Sequence, residues 1–398
     1  MKTLKSILLL GLLCFASCGA EEYSLVVTNN STIDRQAEVV AVSELENPEE
    51  FIVLGADGFE IPSQVTYDGK LLFQATVASG EHEYFSLVKA ARRMPFAAIA
   101  SGRIYPNRLD DIAWESDKIG YRVYSKRAGA DGWTLYGYDV FTKIGSRPVL
   151  DDLYAAECDQ RTRAYIKKLR DAGNELDAKI LHAAISYHID HGQGMDYYPV
   201  GKTLGCGTAA LVRDGEIYYP EYFRDYEILD EGGLRFTFKT TFDPVQIGDD
   251  MIVEERIISL DAGQHFNLVQ VNFKNLTSES DVVVGLVTHD DAKVSQVRDI
   301  SIAYAEPEHK YGWQTYVAAV FPESMTPSVK FFSKEEAKDR SATGHILTQG
   351  VLKPGETLSY YMGAGWNRWC FDTADDWFAH VREQEIVLNE PLEYKLSK

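Results

Sequence analysis

The segment from Tyr187 to Lys202 carries the densest set of side chains able to do acid–base chemistry. It holds two of the nine histidines, two aspartates, three tyrosines and a lysine within 16 residues. Its glycines let the backbone bend and approach a ligand closely, and it directly follows a predicted helix, where a loop can line a pocket. We predict a functional site here, with a hydrogen-bonded structural loop as the alternative. The predicted catalytic residues are His188, His191 and Tyr197, and the predicted substrate-binding residues are Asp196 and Lys202.

Other segments carry candidates for the same site. His289 follows the apolar strand 282–287 and is a further catalytic candidate, with a turn histidine as the alternative. Trp366 and Arg368 suit stacking on a sugar and pairing with a carboxylate. Arg103 and Arg122 offset an otherwise acidic surface, so we predict that they bind substrate. Residues 309–313 (His-Lys-Tyr-Gly-Trp) form one more candidate segment.

A metal site is an open alternative. His188 and His191 are three residues apart, and a third ligand would come from far along the chain, with His289 or Asp290 as candidates. An HxxH pair alone is a weak signal, so we predict no metal ligands and no cofactor. The sequence also lacks a GxSxG motif, a glycine-rich phosphate loop and an HExxH zinc motif.

The elements that must position these residues are mostly strands. Short strands fill residues 23–88, and Asp68-Gly69 predicts a tight hairpin turn between two of them. Strand patterns resume after residue 187 and continue to about Tyr361, and Ala374–Glu385 predicts a short closing helix. Many antiparallel strands and few helices favour a large two-sheet sandwich.

The region 151–187 interrupts this β pattern. Apolar residues recur there at helical spacing, and Gly173 predicts a break between two helices. These apolar residues are Ile166, Leu169, Leu176, Ile180 and Ala184. We therefore predict a mainly β fold with a lipidated N-terminus and small β module at residues 18–90. A β-supersandwich follows at residues 91–398, with one helical insertion at about 151–187.

The N-terminus predicts export. Lys2 and Lys5 precede an apolar run at residues 7–13, which is shorter than the ~20 residues needed to span a bilayer. Residues 15–18 (Phe-Ala-Ser-Cys) resemble a lipobox. We predict a signal peptide at residues 1–17, lipidation of Cys18, and an outer-membrane lipoprotein facing the periplasm or the cell surface, held to the membrane only by its lipid anchor.

The net charge of −20 excludes non-specific binding of nucleic acid. An anionic substrate therefore requires a local cluster of basic side chains. The remaining cysteines, Cys158, Cys206 and Cys370, are odd in number and unsuited to a disulfide framework, so at most one bridge is expected.

Three motifs carry a family resemblance. They are residues 114–124 (WESDKIGYRVY), 191–198 (HGQGMDYY) and 202–207 (KTLGCG). Together they resemble an uncharacterised-domain lipoprotein family of Bacteroidetes polysaccharide-utilisation systems, which is similar to the galactose-mutarotase-like supersandwich proteins. The resemblance implies work on acidic polysaccharides, and one activity associated with such utilisation systems is the dehydration of a terminal uronic acid during ulvan breakdown. A fold alone does not decide this function.

β-Elimination from a uronic acid matches the residue types present. A base must take the C5 proton, for which we favour His191 or Tyr197, and an acid such as His289 or a tyrosine must protonate the leaving C4 oxygen. A cation must stabilise the carboxylate, for which Arg103, Arg122 and Lys202 are candidates. We predict a carbon–oxygen lyase or dehydratase that forms a 4,5-unsaturated uronate on an acidic, ulvan-like oligosaccharide. A non-catalytic surface glycan-binding lipoprotein and a glycoside hydrolase or mutarotase-like enzyme are the alternatives.

Overall fold

Alternating apolar residues produce strands along most of the chain. The computed structural model describes residues 22–398, so the predicted signal peptide and Cys18 lie outside the described residues. Along residues Asp250–Asp261, for example, buried and partly exposed positions alternate, as expected of a strand with one face on the core. The predicted mainly β, antiparallel fold is confirmed.

An N-terminal module forms the first part of this fold. Its strands are β1 (Glu22–Thr28), β2 (Arg35–Val42), β3 (Phe51–Leu54), β4 (Glu60–Ile61), β5 (Ser63–Val65), β6 (Leu71–Val77) and β7 (His82–Lys89). The predicted hairpin turn lies between β5 and β6, where Gly69 has a φ of +78°. Two sheets enclose a core of its own that includes Leu25, Val53 and Phe73.

The main body carries the remaining strands. They are β8 (Ala100–Tyr105), β9 (Asp111–Glu115), β10 (Gly120–Val123), β11 (Asp139–Lys143), β12 (Gly194–Asp196), β13 (Cys206–Arg213), β14 (Glu216–Tyr218), β15 (Phe223–Gly233), β16 (Arg235–Phe242), β17 (Val245–Ile247), β18 (Asp250–Asp261), β19 (Phe266–Lys274), β20 (Ser280–Thr288), β21 (Ser295–Arg298), β22 (Ser301–Ala305), β23 (Thr315–Val320), β24 (Thr326–Phe331), β25 (Gly344–Leu352), β26 (Thr357–Trp366) and β27 (Glu393–Ser397).

Two antiparallel sheets of this body form the sandwich. The larger sheet has 14 strands and runs from β12 at one edge to β21 at the other, and the smaller has the order β14-β13-β20-β25-β24. One continuous apolar core joins them, with Ile258 and Val269 from the larger sheet and Leu286 and Ile346 from the smaller. This core fixes the positions of the strands that carry the candidate site residues.

The last strand returns to the N-terminal module. β27 pairs antiparallel with β1, with Ser24 opposite Ser397. The predicted module boundary at residue 90 did not include this strand. The two ends of the described chain therefore lie in one sheet. The N-terminal module is connected to the sandwich by the chain that follows β7 and by the chain that leads into β27.

Six α-helices occur within residues 22–398. They are α1 (Lys126–Ala130), α2 (Leu150–Glu157), α3 (Gln160–Asp171), α4 (Glu175–Ile185), α5 (Lys334–Arg340) and α6 (Ala374–Asn389). Helices α2 to α4 lie where the helical insertion is predicted, and α3 and α4 are separated at Gly173, which has a φ of +78°. Only part of the regularly spaced apolar residues of these helices is buried. Ile166 is buried, whereas Leu176 and Ile180 are exposed.

Candidate functional site

The edge strand β12 places the histidine-rich segment on the sandwich. Gly194, Met195 and Asp196 pair with Lys143, Thr142 and Phe141 of β11. Gly194 has a φ of +103°, and a Cβ atom there would lie 2.1 Å from the carbonyl oxygen of Thr142. Only glycine fits so close an approach in this backbone conformation, so the position fixes where the segment joins the sheet.

Replacing Gly194 by alanine should therefore cost more stability than replacing Gly192. Both residues have a positive φ, but a Cβ atom at Gly192 would meet nothing within 4 Å. We expect the free energy of unfolding of Gly194→Ala to lie about 1–3 kcal/mol below that of Gly192→Ala, the usual cost of overpacking. Urea denaturation of both variants measures this difference, and equal losses would contradict the proposed role of Gly194.

A buried ion-pair network lies beneath this segment. The Arg122 guanidinium donates to Asp139 at 3.0 Å from Nε and to Asp196 at 2.7 Å from Nη2. Its Nη2 also donates to the Tyr124 hydroxyl at 2.9 Å, and its Nη1 to the Tyr187 hydroxyl at 3.3 Å. Burial raises the pKa of Asp139 to about 6, although Arg122 opposes that shift. The network anchors both ends of the segment 187–196.

Arg122 itself cannot meet a substrate directly in this structure. It is 3% exposed and is enclosed by the partners described above. The predicted substrate-binding role of Arg122 is therefore wrong as a direct contact, and the same holds for Asp196, whose carboxylate is buried against the guanidinium. Both residues instead hold the segment in place, since a charged hydrogen-bond network has strict geometry.

The segment continues from Asp196 into a pocket that we call the histidine pocket. It encloses a cavity of about 200 Å³. Its lining residues come from three separate parts of the chain and are Tyr197, Tyr198, Pro199, His289, Glu306, Pro307 and Thr315. The prediction placed Tyr197 and His289 in one site, and the structure brings both to this pocket.

His289 and Glu306 form a dyad in the histidine pocket. The Nδ1 atom of His289 lies 2.8 Å from Oε2 of Glu306. An ionised carboxylate only accepts hydrogen bonds, so Nδ1 donates and Nε2 is left with its lone pair. Burial raises the pKa of Glu306, and the hydrogen bond from His289 counteracts that shift. A histidine oriented in this way by a carboxylate is suited to accept a proton at Nε2.

Unpartnered polar atoms gather in the histidine pocket. Buried polar atoms normally have a hydrogen-bond partner, yet four side chains of the lining present one without a partner in the described structure. These atoms are His289 Nε2, Glu306 Oε1, the Tyr198 hydroxyl and Thr315 Oγ1. All four atoms are buried in residues that line the pocket, so a polar ligand that reaches them would supply the missing partners.

A larger cavity lies elsewhere on the sandwich. It measures about 550 Å³ and is lined in part by Tyr136, Tyr219, Lys202 and Glu254. None of its lining residues, all within the described range, has a buried polar side-chain atom without a partner. We therefore assign the candidate site to the smaller histidine pocket, because unpaired polar groups indicate a ligand more directly than cavity size does.

Tyrosine hydroxyls complete the chemistry of the pocket. Burial raises the pKa of Tyr197, and the nearby Glu306 raises it further. The pKa of Tyr198 is raised well above its usual value for the same reasons. Both phenols are therefore protonated at neutral pH, so neither is present there as a phenolate that could act as a base.

The predicted residues His188, His191 and Arg368 are not among the lining residues of the pocket. The Nδ1 atom of His188 is 3.1 Å from the carbonyl oxygen of Asp196, and Nε2 of His191 is 3.2 Å from that of Ser186. Arg368 pairs with Asp190 of the same segment at 2.5 Å. It follows Trp366 by two residues, and Trp366 pairs across the sheet with the pocket residue Thr315.

Three other predicted substrate-binding residues do not form part of this site. Trp366 is 1% exposed, so the prediction that it stacks on a sugar is wrong. Arg103 pairs with Asp151 of the helical insertion at 2.8 Å. Lys202 lines the larger cavity and pairs with Asp339 at 2.6 Å.

The sequence did not single out Glu306 or Thr315. Glu306 follows the buried strand β22, and Thr315 opens the buried strand β23. A lone acid directly after five buried strand residues is the available signal, because such an acid requires a partner. Nothing local in the sequence pairs it with His289.

The described residues also bear on metal binding, disulfides and membrane spans. This part of the chain contains no group of three or more histidine, cysteine, aspartate or glutamate side chains placed to hold a metal ion. Cys158, Cys206 and Cys370 are free. No helix between residues 22 and 398 has both the length and the apolar character needed to cross a membrane.

Comparisons with known proteins place the chain in a family. It is 26% identical over 412 residues to the "Uncharacterized protein P7" of Formosa agariphila, with 96% of each chain covered. Its fold is similar to a protein of glycosyl hydrolase family 38 from Enterococcus faecalis, with a TM-score of 0.51, 8% identity and 95% of this chain covered.

An alpha-mannosidase from Enterococcus faecalis gives a TM-score of 0.49 at 8% identity, also over 95% of this chain. The chain spans 47% and 46% of these two structures, about half their length. At this identity the likeness to the first structure shows a shared fold. The family model described as "Domain of unknown function (DUF4861)" matches residues 27–393. The chain therefore belongs to the DUF4861 family.

Proposed function

We propose that this protein is a carbohydrate-active carbon–oxygen lyase that dehydrates a terminal uronic acid. The observation that carries the proposal is the His289–Glu306 dyad, which lines the histidine pocket together with two tyrosines and whose Nε2 has no hydrogen-bond partner in the described structure. The fold shared with a glycosyl hydrolase family 38 protein supports a carbohydrate substrate. The choice of an ulvan-like uronate rests on the sequence resemblance alone.

The proposed reaction is a β-elimination. His289 Nε2 takes the C5 proton, the C4–O bond breaks, and a C4=C5 double bond forms. Tyr197 or Tyr198 gives its hydroxyl proton to the departing C4 oxygen, which leaves as water when C4 carries a free hydroxyl. The phenolate regains its proton from protonated His289, and this restores the starting state. The pKa directions of the tyrosines favour this assignment over the predicted use of Tyr197 as the base.

A basic group near the pocket is needed for the substrate carboxylate. Arg368 is the predicted candidate that the strand pairing links to the lining, because it follows Trp366 by two residues and Trp366 pairs with Thr315. Its side chain is 41% exposed although it pairs with Asp190, and a guanidinium has five N–H donors, so donors beyond that pair remain for a carboxylate. A carboxylate held by Arg368 would stabilise the charge that develops as C5 loses its proton.

The pocket favours elimination over glycoside hydrolysis. Hydrolysis usually needs two carboxyl groups about 5–9.5 Å apart. Among the described residues that line the histidine pocket, Glu306 is the single carboxylate, and it is already hydrogen-bonded to His289. The cavity of about 200 Å³ is also smaller than the ~300–1,000 Å³ of pockets that enclose larger ligands. This size supports the entry of one terminal sugar ring.

Incubation with defined oligosaccharides tests the proposal. Purified protein with ulvan, pectin and glycosaminoglycan oligosaccharides should produce the ultraviolet absorbance of a conjugated enoate on at least one of them. Mass spectrometry should show a product lighter by one water and unchanged in chain length. Enoate formation with chain cleavage would make the protein a polysaccharide lyase. New reducing ends without an enoate, or binding without turnover, would overturn the proposal.

We further propose that the protein acts as an outer-membrane lipoprotein anchored through Cys18, on the basis of the N-terminal sequence. Such a tether would keep the enzyme where short acidic oligosaccharides are processed. Metabolic labelling with a fatty-acid analogue, compared between wild type and Cys18→Ser, tests the anchor. Equal labelling of both proteins would contradict it.

A further inference from the structure

The loop between β22 and β23 is a hairpin that carries three ring side chains. His309 N donates to the Trp313 carbonyl oxygen at 2.8 Å, and Gly312 N donates to the His309 carbonyl oxygen at 2.7 Å. Gly312 has a φ of +79°, which permits the tight turn. We call residues 306–315 the aromatic hairpin. Its turn leaves the Tyr311 ring exposed, while His309 and Trp313 are half-buried.

The rings of the aromatic hairpin form one contiguous surface. His309 and Trp313 stack at 5.1 Å with planes 9° apart, and Tyr311 lies 5.4 Å from Trp313. Tyr311 is 66% exposed. His309 and Trp313 are half-buried, and an exposed ring that already packs against such neighbours presents an apolar face at little further entropic cost on binding.

Side-chain hydrogen bonds hold this surface in place. Asn367 Nδ2 donates to the Gly312 carbonyl oxygen at 2.7 Å, and its Oδ1 accepts from Gln314 N at 2.9 Å. Gln314 Nε2 donates to the Glu306 carbonyl oxygen at 2.9 Å. The hairpin is therefore braced against the end of β26, and a ligand meets a preformed surface.

The aromatic hairpin is continuous with the histidine pocket. Glu306 and Thr315, which face each other at its base, both line that pocket. Tyr197 belongs to both, because it lines the pocket and its ring lies 5.3 Å from His309 and 6.1 Å from Trp313. A chain of sugars with its end in the pocket would leave it across these rings.

We propose that the aromatic hairpin is a second saccharide subsite, which binds the sugar next to the one that enters the histidine pocket. This inference rests on the proposed function for the position of the reacting sugar. The apolar face of a pyranose stacks on the exposed Tyr311 ring, with Trp313 tilted by 54° beside it, while the exposed Lys310, whose Nζ lies 4.9 Å from the Tyr311 ring centroid, pairs with an acidic substituent. The substrate is accordingly an acidic oligosaccharide rather than a free uronic acid.

Calorimetric titration of the full protein with an ulvan tetrasaccharide and with glucuronic acid tests this subsite. Tyr311→Ala should weaken tetrasaccharide binding by about 2- to 12-fold, the range for one aromatic contact, and the loss should be confined to the tetrasaccharide. Tyr311→Phe should restore the affinity. Tyr165→Ala, which removes another exposed tyrosine, from α3, is the matched control and should bind both probes like the wild type.

The outcomes separate this inference from the proposed function. Wild-type tetrasaccharide binding that Tyr311→Ala weakens, without any enoate, would support the subsite and overturn the dehydratase. Enoate formation with tetrasaccharide affinity unchanged in Tyr311→Ala would support the dehydratase and overturn the subsite. Equal affinity of the wild type for glucuronic acid and the tetrasaccharide, or no binding of either, would also overturn the subsite.

Discussion

Replacing His289 by asparagine should lower kcat for enoate formation by about 10²–10⁴-fold, the usual contribution of a positioned general base. The asparagine amide nitrogen can occupy the place of Nδ1 and still donate to Glu306, so the buried carboxylate keeps a partner. What the substitution removes is Nε2, the buried ring nitrogen of this pocket-lining residue that has no hydrogen-bond partner in the described structure. Initial rates on the best oligosaccharide substrate measure the effect.

A histidine outside the site provides the control for this result. His82 is an exposed residue of β7 whose ring contacts Tyr84, and His82→Asn should keep wild-type kcat. Circular dichroism and thermal unfolding should be alike for both variants and the wild type. Retention of more than about a tenth of wild-type kcat by His289→Asn would remove His289 from the proposed chemistry, because a general base is worth at least ~100-fold.

The fold could be predicted from the sequence where its signals are local. Alternation along strands such as β18 and the Asp68-Gly69 turn depend on neighbouring residues, and both are found as expected. The pairing of β27 with β1 joins residues almost a full chain length apart. No local pattern reports such a pairing, because it depends on where the sandwich brings the C-terminus.

The site was predicted in part for the same reason. Tyr197 and His289 stand out because titratable residues follow or interrupt apolar runs, and both line the histidine pocket. Glu306 becomes informative only when β22 brings it beside His289. Arg122 and Trp366 looked like surface groups, since the sequence does not show that β10 and the end of β26 are covered on both faces.

The buried position of Arg122 makes it the largest single determinant of stability that we expect near the site. Arg122→Met keeps the length of the side chain but leaves the carboxylates of Asp139 and Asp196 without their cation. Removing one partner of a buried ion pair costs about 3–5 kcal/mol, because the remaining charge is then buried without compensation. Chemical denaturation should show a loss of this size in the free energy of unfolding.

Arg103→Met is the matched control for Arg122→Met. Arg103 also pairs with an aspartate, but its side chain is 59% exposed, and an exposed pair contributes about 0–1 kcal/mol. If the cost of Arg122→Met comes from carboxylates that have lost their cation, a triple variant that also carries Asp139→Asn and Asp196→Asn should recover part of the lost stability. A loss in Arg122→Met no larger than that in Arg103→Met would contradict the role of the network as the anchor of the segment 187–196.

The ion-pair network also has a functional consequence, because Asp196 directly precedes the pocket residue Tyr197. Loss of this anchor should therefore lower the activity of any Arg122 variant that still folds.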